Sequence, residues 1–120
     1  VEFAQARRSG LSYAALRNRA GNFVVPDAAS LQAASSSADW AATPDFNILL
    51  NDAPGETAYP LVATTFVVLP KAASTSGAVL SFFRWSLENG ARAASELGYV
   101  PFPAPVVAHI SRSWGTTFGH

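Results

Sequence analysis

The stretch Tyr59–Pro70, YPLVATTFVVLP, carries no charge and has Pro60 and Pro70 near its ends. Thr64, Thr65, Phe66, Val67 and Val68 are all strand formers, and Leu61–Leu69 shows no clean period of two. A continuous apolar run of this kind fits a strand covered on both faces, in a sheet with helices above and below. Proline is tolerated at the ends of such a strand and not in its middle. The run therefore needs a paired strand along each edge, and Phe66, at its centre, is expected to be buried.

The rest of the chain offers few such neighbours. Upstream, VEFAQARRSG reads as the short end of a helix closed by Gly10. LSYAALRNRAGNFVVP reads as a strand–turn–strand, with Leu11, Tyr13 and Ala15 alternating and turn chemistry at Asn18–Gly21. Asp27 is placed to cap a helix carrying Leu31, Ala34 and Ala38 at helical spacing. Phe46–Leu50 is a short strand candidate, followed by the turn cluster Asn51–Gly55. Downstream, TSGAVLSFFRWSLENG predicts a helix with Val79, Leu80, Phe83 and Leu87 on one side, capped by Ser74 or Ser76. Asn89–Gly90 ends or kinks it, ARAASELG continues as a helix to Gly98, and Pro101, Pro103 and Pro105 hold an extended stretch. Pro105 then suits the first position of a last helix, Val106–Trp114. Mixed elements in this order indicate an α/β protein, yet the strands are short and fall in the first half. No internal repeat interrupts the order.

Composition narrows the function. The 120 residues are 49% hydrophobic and 13% charged, with eight basic and eight acidic side chains. That suits one domain of ordinary size and implies no basic face for nucleic acid. The absence of cysteine excludes disulfides and thiolate metal sites. The uncharged run between Glu56 and Lys71 is shorter than the ~20 residues of a membrane-crossing helix. The sequence opens at Val1–Glu2 without a leader pattern or an initiator methionine, so a processed or excised chain is expected.

No catalytic set emerges. His109 lies among Val106, Val107 and Ile110 and reads as a surface or packing residue; His120 is terminal. No His pair has metal-ligand spacing. SWGTTFG near the C-terminus contains no nucleophile elbow, and NDAPGET lacks the lysine and second glycine of a phosphate loop. Asp45 and Asp52 read as solvated loop acids. Trp40, Trp85 and Trp114 could stack a sugar or base, but Trp85 sits among apolar helix residues and reads as core. Catalytic, metal and cofactor residues are thus expected to be absent.

A wider pattern does emerge. The stretches VEFAQA…LSYAALRNRAG, FVVPDAASLQAA…ADW, AYPLVATTFVVL and VLSFFRWSLENGARAASELGYVPFP, with the closing VV…W, occur in the order found in the periplasmic phosphate-binding proteins. The sequence resembles the C-terminal part of that family, the receptor components of bacterial phosphate ABC transporters, from Val1 to about Trp114. The resemblance implies the C-terminal portion of a type II periplasmic-binding-protein (Venus-flytrap) fold, with mixed sheets flanked by helices. It implies that residues 1–58 belong to the second lobe and 59–120 to a segment returning to complete the first. Tyr59 and Pro60 would then be hinge residues at the crossing, and Leu61–Leu69 would pair with strands of the N-terminal part of the same receptor. A periplasmic location, inorganic phosphate as ligand of the complete receptor and the transporter's membrane subunits as partners follow from the same resemblance, with no nucleic acid and no cofactor.

The family holds phosphate through hydroxyl and backbone donors near the start of the first domain, an aspartate, and an Arg-x-Asp-x-Ser-Gly-Thr motif. None of these is in the sequence, and SRSWGTT at Ser111–Thr117 is not that motif. No phosphate-binding residue is therefore expected in this chain, which would supply scaffold and hinge. Two other expectations compete: a structural piece that forms a strand-exchanged oligomer, and an enzyme relative, which would need a nucleophile or metal set that the sequence does not show.

Overall fold

A computed structural model of the chain describes residues 1–42, 45–69 and 76–118. Five helices and one two-stranded sheet are formed among them: α1 (Phe3–Arg8), β1 (Leu16–Arg17), β2 (Phe23–Val24), α2 (Ala28–Ser36), α3 (Ser76–Asn89), α4 (Ala91–Glu96) and α5 (Ala104–Phe118). This mixed composition is compatible with a piece of an α/β protein.

Local signals decide the helix ends. Gly10, at φ 63°, closes α1: Leu11 N–H donates to the Ala6 carbonyl and Gly10 N–H to that of Arg7, the paired bonds of a Schellman cap. The same device closes α4 through Gly98, at φ 86°, with Tyr99 N–H on Ala94 and Gly98 N–H on Ser95. Asp27 caps α2 as expected: its carboxylate accepts from Ser30 N–H at 2.7 Å, and Ser30 Oγ accepts from Asp27 N–H at 3.0 Å. The helix stops at Ser36, short of Ala38, because Ser37 takes the cap position and its hydroxyl donates to Ala34. Gly90 marks the joint between α3 and α4. A Cβ there would stand 2.4 Å from the Ser86 carbonyl oxygen, so only glycine fits. The last helix begins at Ala104, and Pro105 is its second residue. Proline costs nothing there, since N–H groups of a first turn have no intrahelical acceptor; the Pro103 carbonyl accepts from Val106 and Val107.

The hairpin pairs Leu16 with Val24 and Arg17 with Phe23, antiparallel. It is shorter than the expected alternation: Leu11, Tyr13 and Phe23 are exposed. The strand expected at Phe46–Leu50 does not form. Phe46 adopts φ 59° and Ile48 N–H turns back to its carbonyl at 2.9 Å. The alternation still operates, because Leu50 is buried and Ile48 and Phe46 face the same cluster while Leu49 is exposed.

The larger difference concerns Leu61–Leu69. The segment is extended, but among the described residues it joins no sheet and its backbone makes no hydrogen bond to another backbone group. Val62 packs inward, whereas Leu61, Phe66, Val67 and Val68 are exposed, Phe66 by 53% and Val68 by 91%. The expected burial on both faces is thus not realised among the described residues. The physical reason is the lack of neighbours: strand character read from sequence becomes a strand only beside a partner, and β1–β2 is a separate hairpin. Pro70 and Ser74, expected to bound this run and cap the next helix, lie outside the described residues, as does His120.

The core is correspondingly modest. Ala34, Ala53 and Ala58 form one cluster, with Ala33 and Val62 against it. Trp40, Leu50 and Val106 form another, joined by Phe46, Phe102 and Ile110. On α3, Leu80 is buried. Trp85, expected in the core, is 60% exposed beside exposed Phe82, off the stripe that carries Leu80 and the half-buried Val79, Phe83 and Leu87. The radius of gyration is 15.7 Å, above the about 13.6 Å of a compact chain this long.

Candidate functional site

Tyr59 and Pro60, the hinge residues expected from the resemblance, end the loop 55–60. This stretch is strapped from three directions. From the hairpin turn, Asn18 is buried, and its amide nitrogen donates to the carbonyls of Glu56 at 2.9 Å, Ala58 at 3.1 Å and Gly55 at 3.2 Å. Its side-chain oxygen accepts from Asn22 N–H at 3.0 Å, and Asn22 Nδ2 adds a bond to Glu56 at 3.0 Å. From α2, the Ser30 carbonyl accepts Tyr59 N–H at 3.1 Å; from the preceding turn, Asp52 N–H donates to the Pro60 carbonyl at 2.8 Å. Asp52 reaches that position at φ 52°, a conformation aspartate tolerates. Tyr59 and Pro60, the expected hinge pair, thus stand at the last strapped position, and Leu61 begins the unpaired segment.

Beyond the strap opens a groove of about 590 Å³ between α1, α2, the 61–65 segment and the 98–102 segment. Its walls are mainly apolar, with Phe3, Leu31, Leu50, Val62, Tyr99 and Phe102 among them. The Ser35 and Thr64 hydroxyls are buried in it and have no hydrogen-bond partner among the described residues. Gly98 brings the groove's far wall onto α1: a Cβ there would stand 3.1 Å from Ala4 Cα and Cβ.

The other nominated residues are not gathered into a site. His109 packs edge-on to Phe46 with centroids 5.4 Å apart, the packing role expected of it. Trp40 is buried against Phe102, while Trp85 and Trp114 stand elsewhere on α3 and α5. Asp45 accepts from Asn47 N–H within its own loop. Among the described residues, no group of three metal-ligating side chains occurs and no helix is long and apolar enough to cross a membrane. Asn18 was legible only as a turn former. Its bonds to residues 37–40 positions away leave no local trace in the sequence.

Comparison with known proteins gives this geometry a context. The chain is 45% identical over 121 residues to the phosphate-binding protein PstS of Xylella fastidiosa strain Temecula1, a match covering 98% of this chain. The chain is homologous to the phosphate-binding protein PstS. The PstS proteins of Pasteurella multocida, at 39%, and Haemophilus influenzae, at 40%, match over 97% of the chain. The chain spans only 33–36% of the length of these PstS relatives. No family model matches it.

Proposed function

We propose that this chain is the C-terminal portion of a periplasmic receptor for inorganic phosphate that serves an ABC transporter. The observation that carries the reading is the identity to PstS, 45% over nearly the whole chain, combined with coverage of only 33% of that relative. In this reading the complete receptor has the two-lobed type II binding-protein fold. Residues 1–58 belong to the second lobe and 59–120 return to complete the first, with Tyr59 and Pro60 as the hinge pair. The contact of Trp40 with Phe102 then joins segments of different lobes in this chain.

The role of the chain is scaffold and hinge, with no catalytic step and no phosphate ligand. Strong phosphate sites converge many donors, helix N-termini and an arginine in a dry cleft. The groove here is mainly apolar, and the Arg-x-Asp-x-Ser-Gly-Thr sequence is absent. The N-terminal part of the same receptor supplies those ligands and the strands that flank Leu61–Leu69. The unpaired backbone of that segment, its exposed Phe66, Val67 and Val68, and the orphan hydroxyls of Ser35 and Thr64 support this placement. An apolar edge of this kind also recruits further copies when its partner is missing, so strand-exchanged oligomers of the isolated chain are the second reading.

Calorimetry distinguishes the two. The isolated chain is expected to take up no phosphate at concentrations up to about 1 mM, a binding free energy weaker than about 4 kcal/mol. Mixed with the N-terminal part, it is expected to bind phosphate with one-to-one stoichiometry. Micromolar binding by the isolated chain would contradict the scaffold role, and failure of the mixture to bind phosphate would contradict the receptor assignment.

A further inference from the structure

We propose that Asn89–Gly90, the junction of α3 and α4, is a self-modification site: when the last turn of α3 opens, the Gly90 amide nitrogen attacks the Asn89 side-chain carbonyl and converts the asparagine to aspartate or isoaspartate. The site lies outside the crossover and does not depend on the receptor reading.

The sequence supplies the chemistry. Of the five asparagines, Asn89 alone is followed by glycine, and glycine has no side chain to obstruct approach of its nitrogen. In the reaction a bond forms between Gly90 N and Asn89 Cγ, a five-membered succinimide closes, and the side-chain amide leaves as ammonia. Water then opens the ring. Attack at the side-chain carbonyl gives aspartate; attack at the main-chain carbonyl gives isoaspartate, with the backbone now running through the former side chain. The folded joint restrains both reacting groups. Gly90 N–H donates to the Ser86 carbonyl at 2.8 Å, and Asn89 Nδ2 donates to the Trp85 carbonyl at 3.0 Å. Both bonds must break before the ring can close. Asn89 is exposed, so water reaches it once they do. The glycine is also required by the fold, because a Cβ there would run into the Ser86 carbonyl. The product fits the joint poorly. A carboxylate cannot donate to Trp85, it stands next to Glu88, and the last turn of α3 has no basic residue to offset it against the free carbonyls of the helix end. Isoaspartate adds one main-chain atom where Gly90 and the Ser86 carbonyl already meet closely. One opening that lasts long enough for reaction therefore leaves a mark that keeps the joint open.

The test incubates the full chain near neutral pH, folded and in urea, and follows the tryptic peptide Trp85–Arg92 by mass spectrometry after chromatographic separation of its aspartate and isoaspartate forms. In urea, Asn89 is expected to react before Asn18, Asn22, Asn47 and Asn51. In the folded chain it is expected to react at least about tenfold more slowly, since two hydrogen bonds must open first. Ser86→Gly, which loosens the last turn of α3, is expected to speed the folded reaction about fivefold and to leave the rate in urea unchanged. Ala29→Gly, at an exposed position of α2, is expected to change neither rate. In the modified chain the Gly90 and Ala94 amides, bonded to the Ser86 and Gly90 carbonyls, are expected to exchange about tenfold faster. Earlier reaction at another asparagine in urea overturns the site. Equal rates in the folded chain and in urea, or equal acceleration by the two glycine variants, overturn the gate at the joint. Unchanged exchange in the modified chain overturns the lasting opening.

Discussion

Replacing Trp40 by alanine is expected to lower the stability of the chain by about 3–5 kcal/mol, the range for emptying a large aromatic site in a core. Trp40 is 7% exposed and is the largest residue of the cluster it forms with Leu50 and Val106. Its ring meets Phe102 edge-on with centroids 5.4 Å apart, and its indole N–H donates to the Ser35 carbonyl at 2.8 Å. Alanine removes the contacts and the donor together, and the small alanine-rich cluster beside it has no long side chain to swing into the gap. Urea titration followed by circular dichroism checks this, with Trp85→Ala as the control. Trp85 is 60% exposed, so its loss is expected to cost under about 1 kcal/mol. Equal losses at the two tryptophans would show that the cluster around Trp40 is not the core.

Phe66→Asp is expected to separate the chain from its proposed partner. In the isolated chain Phe66 is 53% exposed, and aspartate there should move stability by no more than about 0.5 kcal/mol. In the proposed assembly the same position would lie within a strand flanked on both edges. A carboxylate buried there without a counter-charge costs at least several kcal/mol. Gel filtration of the two parts should show co-elution for the wild type and for Trp114→Ala, and separation for Phe66→Asp. Co-elution of Phe66→Asp would mean that the segment is not buried on assembly.

The parts of the fold legible in the sequence are those set by neighbours a few residues away. Asp27 announces α2 because an N-cap needs only its own next turn. Gly10 and Gly98 announce helix ends because the left-handed residue and its two bonds lie within six positions. Strands are different. Phe46–Leu50 and Leu61–Leu69 carry strand-forming residues, yet pairing depends on a second segment, and neither has one among the described residues. Trp85 failed for a related reason: apolar character on α3 says that a face is to be covered, not that this chain covers it. At the site, Tyr59 and Pro60 were nominated through resemblance, and the structure holds them at the end of a strap. Asn18 was missed because its acceptors lie far along the chain, and a turn asparagine looks the same whether it holds a distant loop or only its own turn.

Amide exchange of residues 61–69, with and without the N-terminal part, tests the central claim most directly: that this segment is a strand whose partners lie outside the chain. In the isolated monomeric chain these amides are expected to exchange at nearly the rate of an unstructured peptide, since none has an acceptor among the described residues. In the assembly they should slow by at least about a hundredfold, as amides in a paired core strand do. Strong protection in the isolated monomer, or none in the assembly, would contradict the account.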